Sequence, residues 1–164
     1  YKLLMKKIVF LILITLFTTS VFGAGSDDSS SNEENLYKDA KNLINRGKKL
    51  EKKNKQERAL KLYASANEKL FEAYKKDKKN ADVLNYLGFT LRKAERYKEA
   101  EKYYLLGLDI KPNHNGINEY LGELYVKTNR IDKAKERLNV LKNCNCEEYG
   151  MLELVIKTRG NITY

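Results

Sequence analysis

The stretch NADVLNYLGFTLRKAERYKEAEKYYLLGLDIKPN, residues 80–113, decides the fold of this chain. Its apolar and small residues recur every three or four positions, which predicts two amphipathic helices joined by a tight turn. Pro112, the only proline in the sequence, closes the pair. Gly88 in the first helix and Ala100 in the second allow the two backbones to approach closely. Large side chains fill the space beside that contact; they include Leu84, Leu87, Leu91 and Tyr104.

The order and spacing of these residues resemble the tetratricopeptide repeat, a helix–turn–helix of about 34 residues. The same landmarks recur on both sides of the stretch. The set Gly88, Ala100, Tyr104 and Gly107 corresponds, 34 residues later, to Gly122, Ala134, Leu138 and Leu141. It corresponds, 41 residues earlier, to Gly47, Ala59, Tyr63 and Ala66. The extra seven residues are about two helical turns, so a longer second helix keeps its apolar face towards the core.

The resemblance covers about residues 35–158 and implies an all-α fold, a right-handed α-solenoid of three helix hairpins. The tetratricopeptide-repeat domain is expected over residues 35–142, with repeats at about 40–73, 81–114 and 115–146. The second helix of the first repeat is expected to extend to residue 80. The segment 147–158 has Tyr149, Leu152 and Val155 on one side. It predicts a C-terminal capping helix, because such arrays need a terminal helix over the last repeat.

The N-terminal region has the pattern of a secretory signal peptide. Met5 is the expected start, and two lysines precede a short apolar run from Ile8 to Phe17. Small residues follow, which predicts a signal peptide over residues 5–23. The apolar run is about half as long as a membrane-spanning helix requires, although an uncleaved anchor remains an alternative. Residues 24–34, AGSDDSSSNEE, predict a disordered polar linker.

A narrower resemblance concerns residues 80–149. The block is similar to a family of small exported proteins from proteobacteria, in which NADVLNYLGFTLRK, HNGINEYLGELY and a cysteine pair before EEY recur in this order. That family has no assigned activity. The resemblance implies export, most naturally to a bacterial periplasm, and leaves the partner open.

Charge gives a second view of the surface. The formal net charge is +10, and charged residues make up 33% of the chain. The excess is mostly lysine spread beside glutamates, which favours solvated helix faces. A basic scaffold held at an anionic membrane surface is the alternative, because summed positive charge attracts anionic head groups. With no arginine cluster or basic–aromatic block, no nucleic acid partner is expected.

The resemblance implies that the first helices of the repeats form a concave groove for a protein or peptide partner. The groove residues it predicts are Asn45, Lys48, Asn85, Tyr86, Phe89, Arg92, Glu119, Tyr120 and Glu123. Asparagine can bond a peptide backbone in both directions and arginine can pair with a carboxylate. Two alternatives stay open: Tyr86 and Tyr120 could pack between neighbouring first helices, and Glu119 and Glu123 could form a solvated face. Ile44 and Lys48 stand where the chaperone-binding subclass has lysine and asparagine, so a ligand ending in EEVD is not predicted.

Cys144 and Cys146 are the only cysteines. An oxidising compartment permits a disulfide between them; free thiols and a thiol-redox or soft-metal module are the alternatives. His114 is the only histidine and is expected to be a turn residue. No metal site, cofactor or catalytic arrangement is predicted, so the chain is not expected to be an enzyme. The sequence therefore favours an exported adaptor that binds a protein or peptide.

Overall fold

A computed structural model describes residues 28–161 of the chain, with side chains from residue 32 onwards. The predicted signal peptide at residues 5–23 lies outside the described residues. The described part contains α-helices and no strand. In chain order they are α1 (Asp28–Glu51), α2 (Gln56–Lys76), α3 (Ala81–Lys93), α4 (Tyr97–Ile110), α5 (Asn115–Lys127), α6 (Ile131–Leu141) and α7 (Glu147–Lys157).

Consecutive helices pair as three hairpins, α1 with α2, α3 with α4, and α5 with α6. Each hairpin packs on the next, and α7 packs on both helices of the third. The prediction of an all-α solenoid of three hairpins followed by a terminal helix is confirmed. Helix α2 has 21 residues and α4 has 14, so the first hairpin has the longer second helix.

The repeated glycines mark the points where the helices of a hairpin approach closely. A Cβ atom on Gly47 would overlap the Tyr63 ring, and one on Gly88 would overlap the Tyr104 ring. In the third hairpin the equivalent position meets α7 instead, because a Cβ on Gly122 would overlap Leu152. The glycine of the last repeat therefore packs against the capping helix.

The same backbone turn joins the two helices of each hairpin. Its central residues, Asn54, Glu95 and Asn129, have positive φ angles of 55°, 60° and 59°. In each turn the following amide donates to a carbonyl five residues earlier, as in Arg96 N–H to Leu91 O at 2.9 Å. This is the left-handed helix termination that satisfies free carbonyl groups at a helix end.

Two boundaries differ from the sequence-based prediction. Helix α1 begins at Asp28, so residues 28–34 of the predicted disordered linker are helical. Acidic residues stabilise a helix N-terminus, and the Glu33 carboxylate accepts a hydrogen bond from Asn80 Nδ2 at 2.9 Å. Helix α2 ends at Lys76 rather than residue 80 because Asn80 caps α3, its side chain accepting from the Asp82 and Val83 amides.

None of the helices between residues 28 and 161 is both long enough and apolar enough to cross a membrane.

Candidate functional site

Helices α1, α3 and α5, the first of each hairpin, together line two adjoining cavities. The first cavity has a volume of about 410 Å³ and the second of about 440 Å³. Glu119 and Tyr120 line both cavities, so the two form one continuous surface, called the groove below.

The nine predicted groove residues all lie on this surface. Seven line the first cavity: Asn45, Lys48, Phe89, Arg92, Glu119, Tyr120 and Glu123. Asn85 and Tyr86 line the second cavity. The face assigned to the first helices by the repeat pattern is therefore the face that opens onto the cavities.

Sequence reasoning missed several groove residues, and two groups among them are informative. Glu51 and Lys93, at the C-terminal ends of α1 and α3, line the first cavity and form an ion pair at 2.9 Å. Their place beside the predicted residues of the same helices could have indicated them. Glu148 and Met151 come from α7. No repeat signal could place them, because the capping helix has no counterpart in the other hairpins.

An aromatic pair with two cations forms the floor of the first cavity. The Phe89 and Tyr120 rings have centroids 5.2 Å apart. Lys48 Nζ lies 5.0 Å from the Phe89 centroid and 5.2 Å from that of Tyr120. The Arg92 guanidinium carbon lies 5.7 Å and 5.5 Å from the same two centroids. Both cations are within the range at which an aromatic face attracts positive charge.

The two tyrosines proposed as groove residues also pack between neighbouring first helices. Tyr86 on α3 contacts Tyr37 on α1 with ring centroids 5.9 Å apart, and Tyr120 on α5 packs on Phe89 of α3. Each keeps part of its side chain on a cavity wall. Each tyrosine therefore both packs between neighbouring first helices and lines the groove.

The interpretation of Glu119 and Glu123 as a solvated face is wrong. Glu119 is only 8% exposed and Glu123 only 6%. Glu123 pairs with Arg92, whose Nη2 lies 2.6 Å from its carboxylate. A helix pattern does not show this burial, because it comes from the packing of α3 and α7 on α5, the helix that carries both residues.

The buried charges shift one another's protonation. The pKa of Glu119 is raised to about 8, chiefly by burial and also by the neighbouring Glu123 and Glu148, while Lys48 and Arg92 oppose the rise. Burial lowers the pKa of Lys48, although Glu119 and Glu123 act against it. For Arg92, burial lowers the pKa, but Glu123, Tyr104 and Tyr120 together outweigh burial, so the guanidinium stays charged.

Three buried polar atoms beneath the groove lack a hydrogen-bond partner among the described residues. They are Asn85 Oδ1, Arg92 Nε and the Tyr104 hydroxyl. Tyr104 and Arg92 lie beside each other and interact electrostatically. Neither the Tyr104 hydroxyl nor Arg92 Nε, however, makes a hydrogen bond of normal geometry. Buried polar atoms left without partners are uncommon, and each one suggests an unoccupied interaction.

The remaining candidate residues lie outside this chemistry. Cys144 and Cys146 are joined by a disulfide in the turn before α7. His114 caps α5, its Nδ1 accepting from the Ile117 amide, while Nε2 lies 3.1 Å from Asp82 Oδ1. Between residues 28 and 161 there is no cluster of three or more side chains suited to hold a metal ion.

Three stacked hairpins, with a groove lined by their first helices, define the class of this protein as a helical-repeat protein. The family profile described as "Tetratricopeptide repeat" matches residues 81–114, which contain the hairpin α3–α4. The chain therefore contains a tetratricopeptide repeat.

The fold is similar to that of a solved human domain. The second tetratricopeptide-repeat domain of human RPAP3, solved in complex with the HSP70 peptide SGPTIEEVD, matches at a TM-score of 0.50 and 20% identity. The match covers 76% of this chain and 98% of that domain. The first such domain of human RPAP3 gives a TM-score of 0.47 and 16% identity over the same shares. No curated protein sequence matches the chain.

Proposed function

We propose that this protein is an adaptor that binds a protein or peptide in the groove formed by α1, α3 and α5. The observation that carries the proposal is the convergence of all nine predicted groove residues on two adjoining cavities. The groove offers aromatic contact area and an arginine, the residue types that most often dominate binding energy. No catalytic step is part of the proposal.

The ligand is expected to differ from that of the human domain. The fold is one in which a domain of RPAP3 holds a peptide ending in EEVD. In this chain Ile44 is fully buried in the core and leaves only Lys48 of that position pair on the cavity. We therefore propose a protein or peptide partner without the EEVD ending.

Export is the second part of the proposal. It rests on the signal-peptide pattern at residues 5–23 and on the disulfide between Cys144 and Cys146, a bond that persists in oxidising compartments. The proposed compartment is a bacterial periplasm. Fractionation with mass spectrometry of the intact chain tests it: a mature N-terminus near Ala24 is expected, and a full-length cytoplasmic chain would contradict it.

Site-specific cross-linking in cells tests the groove. Asn45 is exposed on α1 at the first cavity, whereas Asn42 is exposed on the same helix and lines neither cavity. A photo-reactive residue at position 45 should capture a defined protein that position 42 does not. Asn45→Trp, in a chain without the photo-reactive residue, should fill the cavity mouth and reduce co-purification of that protein at least about tenfold, while Asn42→Trp leaves it unchanged. Equal capture at both positions would refute groove binding.

A further inference from the structure

We propose that the second cavity binds a positively charged side chain of the partner, an arginine or a lysine, against Glu119. The inference rests on the proposed function and deepens it by naming the chemistry of the bound group. Three features lead to it: a buried carboxyl group that makes no hydrogen bond or ion pair among residues 32–161, a buried amide oxygen without a hydrogen-bond donor in the same part of the chain, and the distribution of charge along the groove.

Glu119 is placed to meet a ligand and has no hydrogen-bonded or ion-paired partner among the side chains that the structure describes. It is 92% buried, since 8% of its surface is exposed, yet it lines both cavities. Within the described residues it makes no hydrogen bond and no ion pair. The neighbouring cations bond elsewhere, because Lys48 Nζ donates to the Tyr120 hydroxyl at 2.8 Å and Arg92 bonds Glu123. A ligand cation would supply the missing partner.

The second feature is the Asn85 amide on the facing helix α3. Asn85 is 5% exposed, lines the second cavity with Glu119, and its Oδ1 has no hydrogen-bond donor. Gly116 at the start of α5 leaves the space beside it, since a Cβ there would lie 3.0 Å from Asn85 Nδ2. A guanidinium or ammonium group has several N–H donors, so one group can serve both the carboxylate and the amide oxygen.

The balance of acidic and basic side chains changes along the groove once Glu119 is ionised. The second cavity then has three carboxylates, Asp82, Glu119 and Glu148, against two lysines, Lys41 and Lys111. Asp82 and both lysines are exposed to solvent, whereas Glu119 is buried. The first cavity has the opposite excess, with five lysine and arginine side chains against three glutamates. A cationic ligand group therefore fits the second cavity and an anionic one the first, which orients a bound peptide.

The protonation of Glu119 predicts that binding of the cationic group depends on pH. The groups facing it are Lys48 from α1, Arg92 from α3, Glu123 from its own helix and Glu148 from α7, with Asp82 and His114 in the same cavity. Because burial raises the pKa of Glu119 to about 8, the free carboxyl is largely protonated at pH 7. A bound guanidinium favours the charged form, so binding releases a proton and tightens as pH rises from about 6 to 8.5.

Three blocked peptides with neutral ends provide the test. Acetyl-Ala-Ala-Arg-Ala-Ala-amide supplies a cation, the norleucine analogue replaces it with a neutral side chain, and the glutamate analogue supplies an anion. Titrations are followed by amide NMR shifts of the folded chain from residue 24. The arginine peptide should give saturable shifts centred on Asn85, Glu119 and Glu148 that strengthen with pH, and the norleucine peptide should not.

Two variants make the result specific. Glu119→Gln keeps the size of the side chain and removes its charge, and it should weaken the arginine peptide about tenfold or more. Glu68→Gln, an exposed position on α2, is the matched control and should change nothing. Equal binding of the arginine and norleucine peptides, preferential binding of the glutamate peptide at these residues, or no effect of Glu119→Gln would each overturn the inference. Capture at position 45 could still succeed, so this failure is separate from failure of groove binding.

Discussion

Lys48 on α1 donates a hydrogen bond from Nζ to the hydroxyl of Tyr120 on α5, at 2.8 Å and across 72 residues of sequence. The two residues belong to the first and third hairpins, and Phe89 of the middle hairpin lies beneath both. This one side-chain contact therefore joins the first and third hairpins across the groove wall. Its geometry depends on all three hairpins together.

Removing the Tyr120 hydroxyl should weaken the stack. Tyr120→Phe keeps the ring on Phe89 but leaves the half-buried Lys48 ammonium without its acceptor, so we expect a loss of about 1 kcal/mol in the free energy of unfolding. Chemical denaturation measures it. Tyr97→Phe is the control, because the Tyr97 hydroxyl makes no side-chain hydrogen bond among residues 32–161 and its removal should cost little. Equal effects of the two substitutions would contradict the role of the contact.

The repeat architecture could be predicted from sequence because its determinants are local and periodic. Gly88 must be small where Tyr104 crosses it, and the same requirement at Gly47 and Tyr63 recurs in phase. Such contacts leave a pattern that spacing alone reveals. The α3–α4 hairpin, the best match to this pattern, is also the segment that the family profile matches.

For the interior of the groove, the sequence predicts which positions line it but not how deeply they are buried or what they contact. A helix face places Glu119 on the wall but does not reveal that neighbouring helices bury it. The contact of Lys48 with Tyr120 depends on the reach of a long side chain past an intervening helix. Both depend on how three hairpins stack, which no single repeat encodes.

Two glycine substitutions should have opposite effects on stability. Gly88→Ala places a methyl group into the Tyr104 ring and should destabilise the protein by about 2 kcal/mol, as overpacking of a close contact does. Gly150→Ala on α7 is the matched control, because no atom lies within 4 Å of a Cβ there. It should stabilise the chain by about 0.5–1 kcal/mol through helix propensity. Thermal unfolding of both variants is the measurement; destabilisation by both would contradict the close-approach explanation.

The burial of Glu119 predicts a pH dependence of stability. Its pKa is raised to about 8 in the folded protein, against an ordinary value of 4.5. Between these values the folded state holds the proton more tightly than the unfolded state. This contribution is therefore fully present below about pH 4.5 and is lost as pH rises through 8, by at most about 1.4 kcal/mol per pH unit.

Glu119→Gln isolates that contribution. The variant should be more stable than the wild type at pH 8.5 and should show a flatter stability profile between pH 5 and pH 8. Denaturant titrations across this range measure the difference, with Glu68→Gln as the exposed control. Identical profiles for the wild type and Glu119→Gln would show that the carboxyl group ionises normally in the folded chain.

Removing the disulfide should affect the last helix and leave in place the groove walls formed by α1, α3 and α5. Cys144 and Cys146 close a loop with a Cα–Cα distance of 5.2 Å just before α7, around Asn145 with its φ of 49°. On the chain-entropy account so short a loop stabilises by about 1–2 kcal/mol. The double variant Cys144→Ser, Cys146→Ser should therefore unfold at a lower denaturant concentration than the wild type. Relative to the wild type, its amide hydrogen exchange should increase more in α7 than in α3.

The same double variant separates the adaptor from the thiol-redox or soft-metal alternative. Phe89 and Asn45 belong to α3 and α1, so cross-linking from position 45 should capture the same protein as in the wild type. Cellular activity should be retained, because the disulfide stabilises α7 and takes no part in the walls formed by α1, α3 and α5. Loss of cellular activity with undiminished capture would instead show that the sulfur atoms take part in the function, and the hairpins would then serve to dock a client for that chemistry.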